Sequence, residues 1–193
     1  MHTHQLARIG LLLLLTGTLG ACGSGPAPSR YVLPAPVVVD KPPVTDVRIS
    51  LTEVRLPGYA RNAAISTLRP DGTVEESADH EWASPPVEAV SAVFARLLAA
   101  ETGATVMQRP TPAAYRPNVR VAVVFDVFAR DAQGNAVMEG QFTVEHADRA
   151  FVVQRFAIAN ATETKSYASY MQATSDGLAA LATRIAVAIK PTG

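Results

Sequence analysis

Between Val119 and Arg130 the side chains alternate strictly enough to dictate a strand. Val119, Val121, Val123, Phe125 and Val127 fall on one face, and Arg120, Ala122, Val124, Asp126 and Phe128 fall on the other. Successive side chains of a strand point to opposite faces, so a period of two marks a sheet that buries one side. Gln133-Gly134-Asn135 turns the chain, and residues 137 to 146 return with Phe142 and Val144 on one face. Asp148-Arg149 makes a second tight turn into a third strand from Phe151 to Ile158. Three strands joined by short turns form an antiparallel meander, and its apolar face needs a second layer to cover it. Phe128 and Val124, on the second face, are expected to lie either under a helix or against another copy of the chain.

Two helices are available as that layer. Ser84-Pro85-Pro86 opens the first, with Ser84 the expected cap and proline tolerated in the first turn. Val90, Val93, Phe94, Leu97 and Leu98 make its apolar stripe, and Gly103 stops it. The second runs from Ser166 to Lys190, with Tyr170, Met171, Thr174, Leu178, Leu181, Ile185 and Ile189 at helical spacing. Lys190 suits the dipole at its C-terminus, and Pro191 ends it. Upstream, Val47, Ile49, Leu51 and Val54 read as a strand. Residues 64–68 and 73–76 read as a hairpin around Pro70-Asp71-Gly72, and residues 105–108 as a further short strand. Strands in runs with two helices predict an α+β fold, a two-layer sandwich whose antiparallel-rich sheet carries both helices on one face.

Ahead of this domain stands a leader. Arg8 precedes the apolar run Ile9 to Leu15, and Leu19-Gly20-Ala21-Cys22 follows. The run is far shorter than the roughly 20 residues of a membrane-spanning helix and matches a secretory signal. Leu-x-x-Cys with small residues between resembles the bacterial lipobox. That resemblance implies cleavage after Ala21, with a diacylglycerol on the Cys22 sulfur and an acyl chain on its new amino group. Cys22 is the only cysteine, and lipidation accounts for a thiol that has no partner in an oxidising compartment. Several acyl chains on one residue give a durable anchor where one gives a reversible one. Gly23, rather than an acidic residue, after the cysteine suggests outer-membrane sorting. The organisation expected is therefore a signal peptide (1–21), a Pro/Gly/Ser-rich lipidated tether (22–44) with a candidate short strand at 30–33, and one globular domain (45–193).

Along the mature chain the lipobox is followed by Tyr31 and Leu33, then by Leu56, Pro57 and Tyr59 with Arg61 close behind. Trp82-Ala83 introduces the first helix, and Tyr167, Ser175, Leu178, Leu181, Ile185 and Ala186 mark the last. This order of residues resembles the PqiC/YmbA family of auxiliary lipoproteins in MCE-type (ABC-type) envelope transport. The chain departs from the family at Ser84-Pro85-Pro86, where an acidic residue and Pro-Leu are usual, and in having one tyrosine where the family has a pair. The resemblance implies a protein that is not an enzyme and has no cofactor beyond the acyl groups on Cys22. It would sit on the periplasmic face of the outer membrane and dock an MCE-domain conduit that carries phospholipid between membranes. A pilotin or assembly-type lipoprotein for another outer-membrane machine is the alternative. Docking on a ring-shaped conduit favours a homo-oligomeric ring of this chain.

Tyr59, Arg61 and Trp82 are the candidate partner contacts. Tyr59 and Arg61 follow a strand end and face either a partner or solvent, whereas Trp82 is either an interface anchor or a core residue. His80 and His146 lack metal-ligand spacing, and Glu75, Glu76, Asp79 and Glu81 around His80 read as a solvated hairpin edge. The chain carries 17 basic and 17 acidic residues, and loss of the leader removes only Arg8. No field recommends nucleic acid as a partner.

Overall fold

A computed structural model describes residues 26–35, 46–148 and 150–190. The leader, Cys22, Gly23, most of the tether and Arg149 lie outside the described residues. The elements in chain order are β1 (Ser29–Tyr31), β2 (Arg48–Arg55), a 3-10 turn (Gly58–Arg61), β3 (Ala64–Leu68), β4 (Val74–Trp82) and α1 (Pro86–Thr102). They continue with β5 (Thr105–Gln108), β6 (Val119–Asp131), β7 (Ala136–His146), β8 (Val152–Asn160) and α2 (Tyr167–Ile189). The strands form one open, mixed, eight-stranded sheet. The meander β6-β7-β8 and the hairpin β3-β4 are antiparallel. The longer-range pairs β1/β4, β2/β5, β2/β6 and β3/β6 are parallel. Parallel partners need a long crossover between them; α1 and its flanking segments supply it for β2/β5, β2/β6 and β3/β6, and the segment carrying β2 and β3 supplies it for β1/β4.

The turns follow from local chemistry. At Pro70-Asp71-Gly72, Gly72 takes φ +84°, and Asp71 Oδ1 accepts from the Thr73 amide at 3.0 Å and its hydroxyl at 2.7 Å. Gly103 caps α1 in the left-handed region at φ +63°, its amide donating to the Ala99 carbonyl at 2.9 Å. Ser166 caps α2, accepting from the Ser169 amide at 3.1 Å. Ser84 does not cap α1. The N-cap position falls on Pro85, which has no side-chain oxygen. Pro86 at the first helical position brings no N–H, so one orphan donor is missing from the start.

Both helices pack against each other. α1 also covers β2 and β5, while α2 covers β7, β8 and β1. Ile49, Leu51, Val121, Val123, Phe142 and Val144 of the sheet meet Phe94, Leu98, Leu178, Leu181 and Ile185 of the helices in one core. Burial on this face drives the fold at roughly 25 cal/mol per Å² of apolar surface.

One strand departs from its sequence pattern. β6 pairs Phe125 with Gly140 and then Val127 with Glu139, so Asp126 is an extra residue. This β-bulge reverses the parity of everything after it. Phe128 joins Phe125 on the buried face at 2% exposure, with the two rings edge to face at 5.2 Å. Val127 is displaced to a half-buried position, while Val124 stays on the second face, also half-buried. Gly140 permits the bulge, because a Cβ there would run into the Val124 carbonyl oxygen and crowd the Phe125 Cα.

The outer edge of β6 is shared. β2 pairs with residues 119–124, and β3 pairs only with Arg130 and Asp131. Across the gap, the Phe128 amide donates to the Tyr59 hydroxyl at 3.3 Å, so the 3-10 turn closes the interval between two strands. Two substitutions test this account. Gly140→Ala is expected to displace the β6 backbone and lower stability by about 3 kcal/mol or more. Tyr59→Phe leaves a half-buried amide without an acceptor and should cost about 1–3 kcal/mol. Urea titration of both variants checks the two figures, and a Gly140→Ala midpoint equal to wild type would contradict the close approach.

Candidate functional site: a cleft at the β4 bulge

The β3-β4 hairpin is regular from Leu68/Val74 to Ser66/Glu76, and then the register jumps to Ala64/Glu81. Residues 77 to 80 therefore stand opposite a single residue, Ile65, which is fully buried. β1 covers the far side of β4 only from His80 to Trp82. Among the described residues, Ser77, Ala78 and Asp79 have no Cα partner in either ladder. Pro26 and Pro28, just before β1, have no N–H with which to extend its ladder. Bulges re-aim side chains and sit beside functional sites, and here the bulge flanks a cleft of about 570 Å³. Its lining includes Arg69, Glu76, Asp79, His80, Arg130 and Tyr167.

His80 joins three elements. Its Nδ1 lies 3.0 Å from the Tyr31 hydroxyl on β1. Its ring stacks on Tyr167, the first residue of α2, with centroids 3.9 Å apart and planes at 23°. A neutral imidazole accepting at Nδ1 carries its proton on Nε2. Arg130, near the end of β6, places its guanidinium carbon 5.0 Å from the centre of the same Tyr167 ring. It donates from Nη2 to the Lys165 carbonyl at 2.9 Å. No carboxylate pairs with Arg130 among the described residues, and its Nε is buried with no acceptor. The cleft's carboxylates are engaged differently. Glu75 pairs with Arg69, Glu76 accepts from Asn62 Nδ2 at 2.7 Å, and Asp79 has no cationic partner among the described residues. The lining is polar and carries both donors and carboxylates.

The residues singled out by sequence lie elsewhere. Trp82 is a core residue, 5% exposed, with its ring 6.2 Å from Phe128. Tyr59 is half-buried beneath the same Phe128, while Arg61 is exposed at the end of the 3-10 turn. Phe128 thus gathers Tyr59 and Trp82 but not Arg61. Sequence reading passed over Arg130 and took His80 for part of a solvated edge. Tyr31 and Tyr167 were visible only as members of a family pattern, and no local signal links residues 31, 80, 130 and 167.

Burial makes two phenols of the domain harder to ionise. Burial pushes the Tyr59 hydroxyl up, with Glu139 adding to the shift and the Phe128 amide partly opposing it. Tyr170, 2% exposed, is pushed far above its ordinary value by burial. Its unfolded-state phenol ionises near pH 10, so the unfolded chain loses that proton first as pH rises. Stability from this group is complete below pH ~10 and declines above it. Tyr170→Phe should flatten the fall in the urea midpoint between about pH 10 and 12, and an unchanged slope would contradict the assignment.

Comparison with known proteins fits this architecture. No curated protein matches the sequence significantly. An uncharacterised protein of known crystal structure superposes with a TM-score of 0.69 at 18% identity, over 85% of this chain and 99% of that one. A Xanthomonas campestris protein of family DUF330 gives a TM-score of 0.57 at 18% identity, over 83% and 90%. A PelC dodecamer from Paraburkholderia phytofirmans gives 0.43 at 11% identity, over 75% and 93%. The first two share the fold. The profile described as "ABC-type transport auxiliary lipoprotein component" matches residues 31–186. That span runs from Tyr31 of the aromatic stack to the last turn of α2, and the chain belongs to this family.

Proposed function

We propose that this chain is the outer-membrane accessory lipoprotein of an MCE-type phospholipid transport system, holding the periplasmic conduit at the membrane. The observation that carries the reading is the family match over residues 31–186. The leader ending in Leu-Gly-Ala-Cys supports it. The protein acts by binding, without catalysis and without a cofactor beyond the acyl groups on Cys22. It docks the MCE-domain protein as a ring of copies matched to the conduit's symmetry.

The structure gives this reading a physical form. β1 begins at Ser29, so only residues 23–28 separate it from Cys22. At ~3.3–3.6 Å per residue, that leash reaches at most about 25 Å. β1 is itself fixed to the body. Leu33 is buried at 4% exposure, the Pro34 carbonyl accepts from Ser175 Oγ at 2.9 Å, and Tyr31 is hydrogen-bonded to His80. An anchor at Cys22 would hold the domain close to the bilayer surface.

Purification of the tagged, lipidated protein from native membranes in mild detergent, with mass spectrometry, tests the pathway. An MCE-domain protein should be enriched over an unrelated lipoprotein control. Enrichment of a secretin or a barrel-assembly component instead would favour the pilotin reading. Cys22→Ala should release the protein from the membrane fraction, and an unchanged distribution would sink the anchor.

A further inference from the structure

We infer that the cleft at the β4 bulge receives the carboxyl end of an extended peptide from a partner protein, with Arg130 binding the terminal carboxylate and Glu76 and Asp79 binding a basic side chain near it. This goes beyond the transport reading and does not depend on it, because it rests on groups whose bonding is incomplete in the free protein.

Arg130 is the first such group. A guanidinium offers five N–H donors in a rigid fork suited to carboxylates. Arg130 spends one on the Lys165 carbonyl, and its buried Nε has no acceptor. A buried donor without an acceptor is costly, and the Tyr167 ring and the Lys165 carbonyl hold the group in place while it stays unpaired. In the tautomer whose Nδ1 accepts from Tyr31, His80 carries an Nε2–H that adds a further donor beside Tyr167.

The second group is the main chain of β4. Ser77, Ala78 and Asp79 lie in the cleft wall and fall outside the register of both β3 and β1, so part of this main chain is left without a strand opposite it. The Asp79 amide reaches only the Ser77 hydroxyl, at 3.4 Å. Unpaired strand backbone is the template for adding an extended peptide. The third is charge. Among the described residues Glu76 and Asp79 have no cationic partner, so they disfavour a doubly charged phosphate and favour a singly charged carboxylate with a lysine or arginine nearby.

The test is equilibrium dialysis of the full-length lipidated protein in detergent micelles against a pool of acetylated pentapeptides, each with one lysine and a free carboxyl terminus. An identical pool with amidated termini serves as comparison, and mass spectrometry reads retention. Acid-ended peptides should be retained about tenfold better than their amides, as expected for loss of a charge-assisted pair. Arg130→Gln should erase that difference. Asp79→Asn alters an exposed residue and should weaken the lysine peptides while leaving the melting temperature unchanged. Equal retention of acid and amide pools, or no retention of either, overturns the proposal. Displacement of retained peptides by an equal concentration of inorganic phosphate overturns it too and reassigns the cleft to phosphate groups.

Discussion

The hydrogen bond from the Phe128 amide to the Tyr59 hydroxyl spans the one interval on β6 that no strand covers. A half-buried strand amide gains from an acceptor, and in the interval between β2 and β3 the Tyr59 hydroxyl of the 3-10 turn supplies it. This requirement fixes where the turn sits, and with it where β3 begins. β3 in turn positions β4, and β4 carries the bulge and the cleft. The bulge in β6 makes the arrangement possible by turning Phe128 inward, where its ring meets Phe125 and Trp82. A phenol, a glycine opposite the bulge and one extra aspartate in a strand thus set the geometry of half the sheet.

Much of this was legible in the sequence because it is local. The meander, the hairpin at Pro70-Asp71-Gly72, the stop at Gly103 and the start of the last helix near Ser166 depend on neighbours a few residues apart, and each appears where the pattern puts it. The α+β class followed from the same signals. Bulges are different. One residue of slip in β6 is invisible in a run where both faces carry apolar side chains, since Val124, Val127 and Phe128 suit either side. The only trace is Gly140, and its meaning depends on a strand that lies opposite. Ser84 failed as a cap because two prolines moved the helix start past it.

The site was less legible than the fold. Tyr31, His80, Arg130 and Tyr167 come from four elements spread over most of the chain, and their assembly depends on the parallel pairing of β1 with β4. Parallel partners leave no short-turn signature. Trp82 shows the reverse case. A lone tryptophan invites an interface reading, yet it fills space beside Phe128 because the reversed parity of β6 brings that ring inward.

The parallel pairing of β2 has a consequence for how the chain reaches its folded state. β2 has no neighbour nearby in sequence. Arg48 is tied to Asn118, 70 residues later, and its other partner, β5, also follows α1. In a chain that emerges from its N-terminus, Ile49 and Leu51 wait for β5, and one edge of β2 stays open until β6 arrives. Such distant contacts form slowly and leave apolar strands exposed meanwhile. Folding of the sheet is therefore completed from the far end of the chain, and a truncation before β6 would leave β2 paired only with β5, its other edge open to self-association.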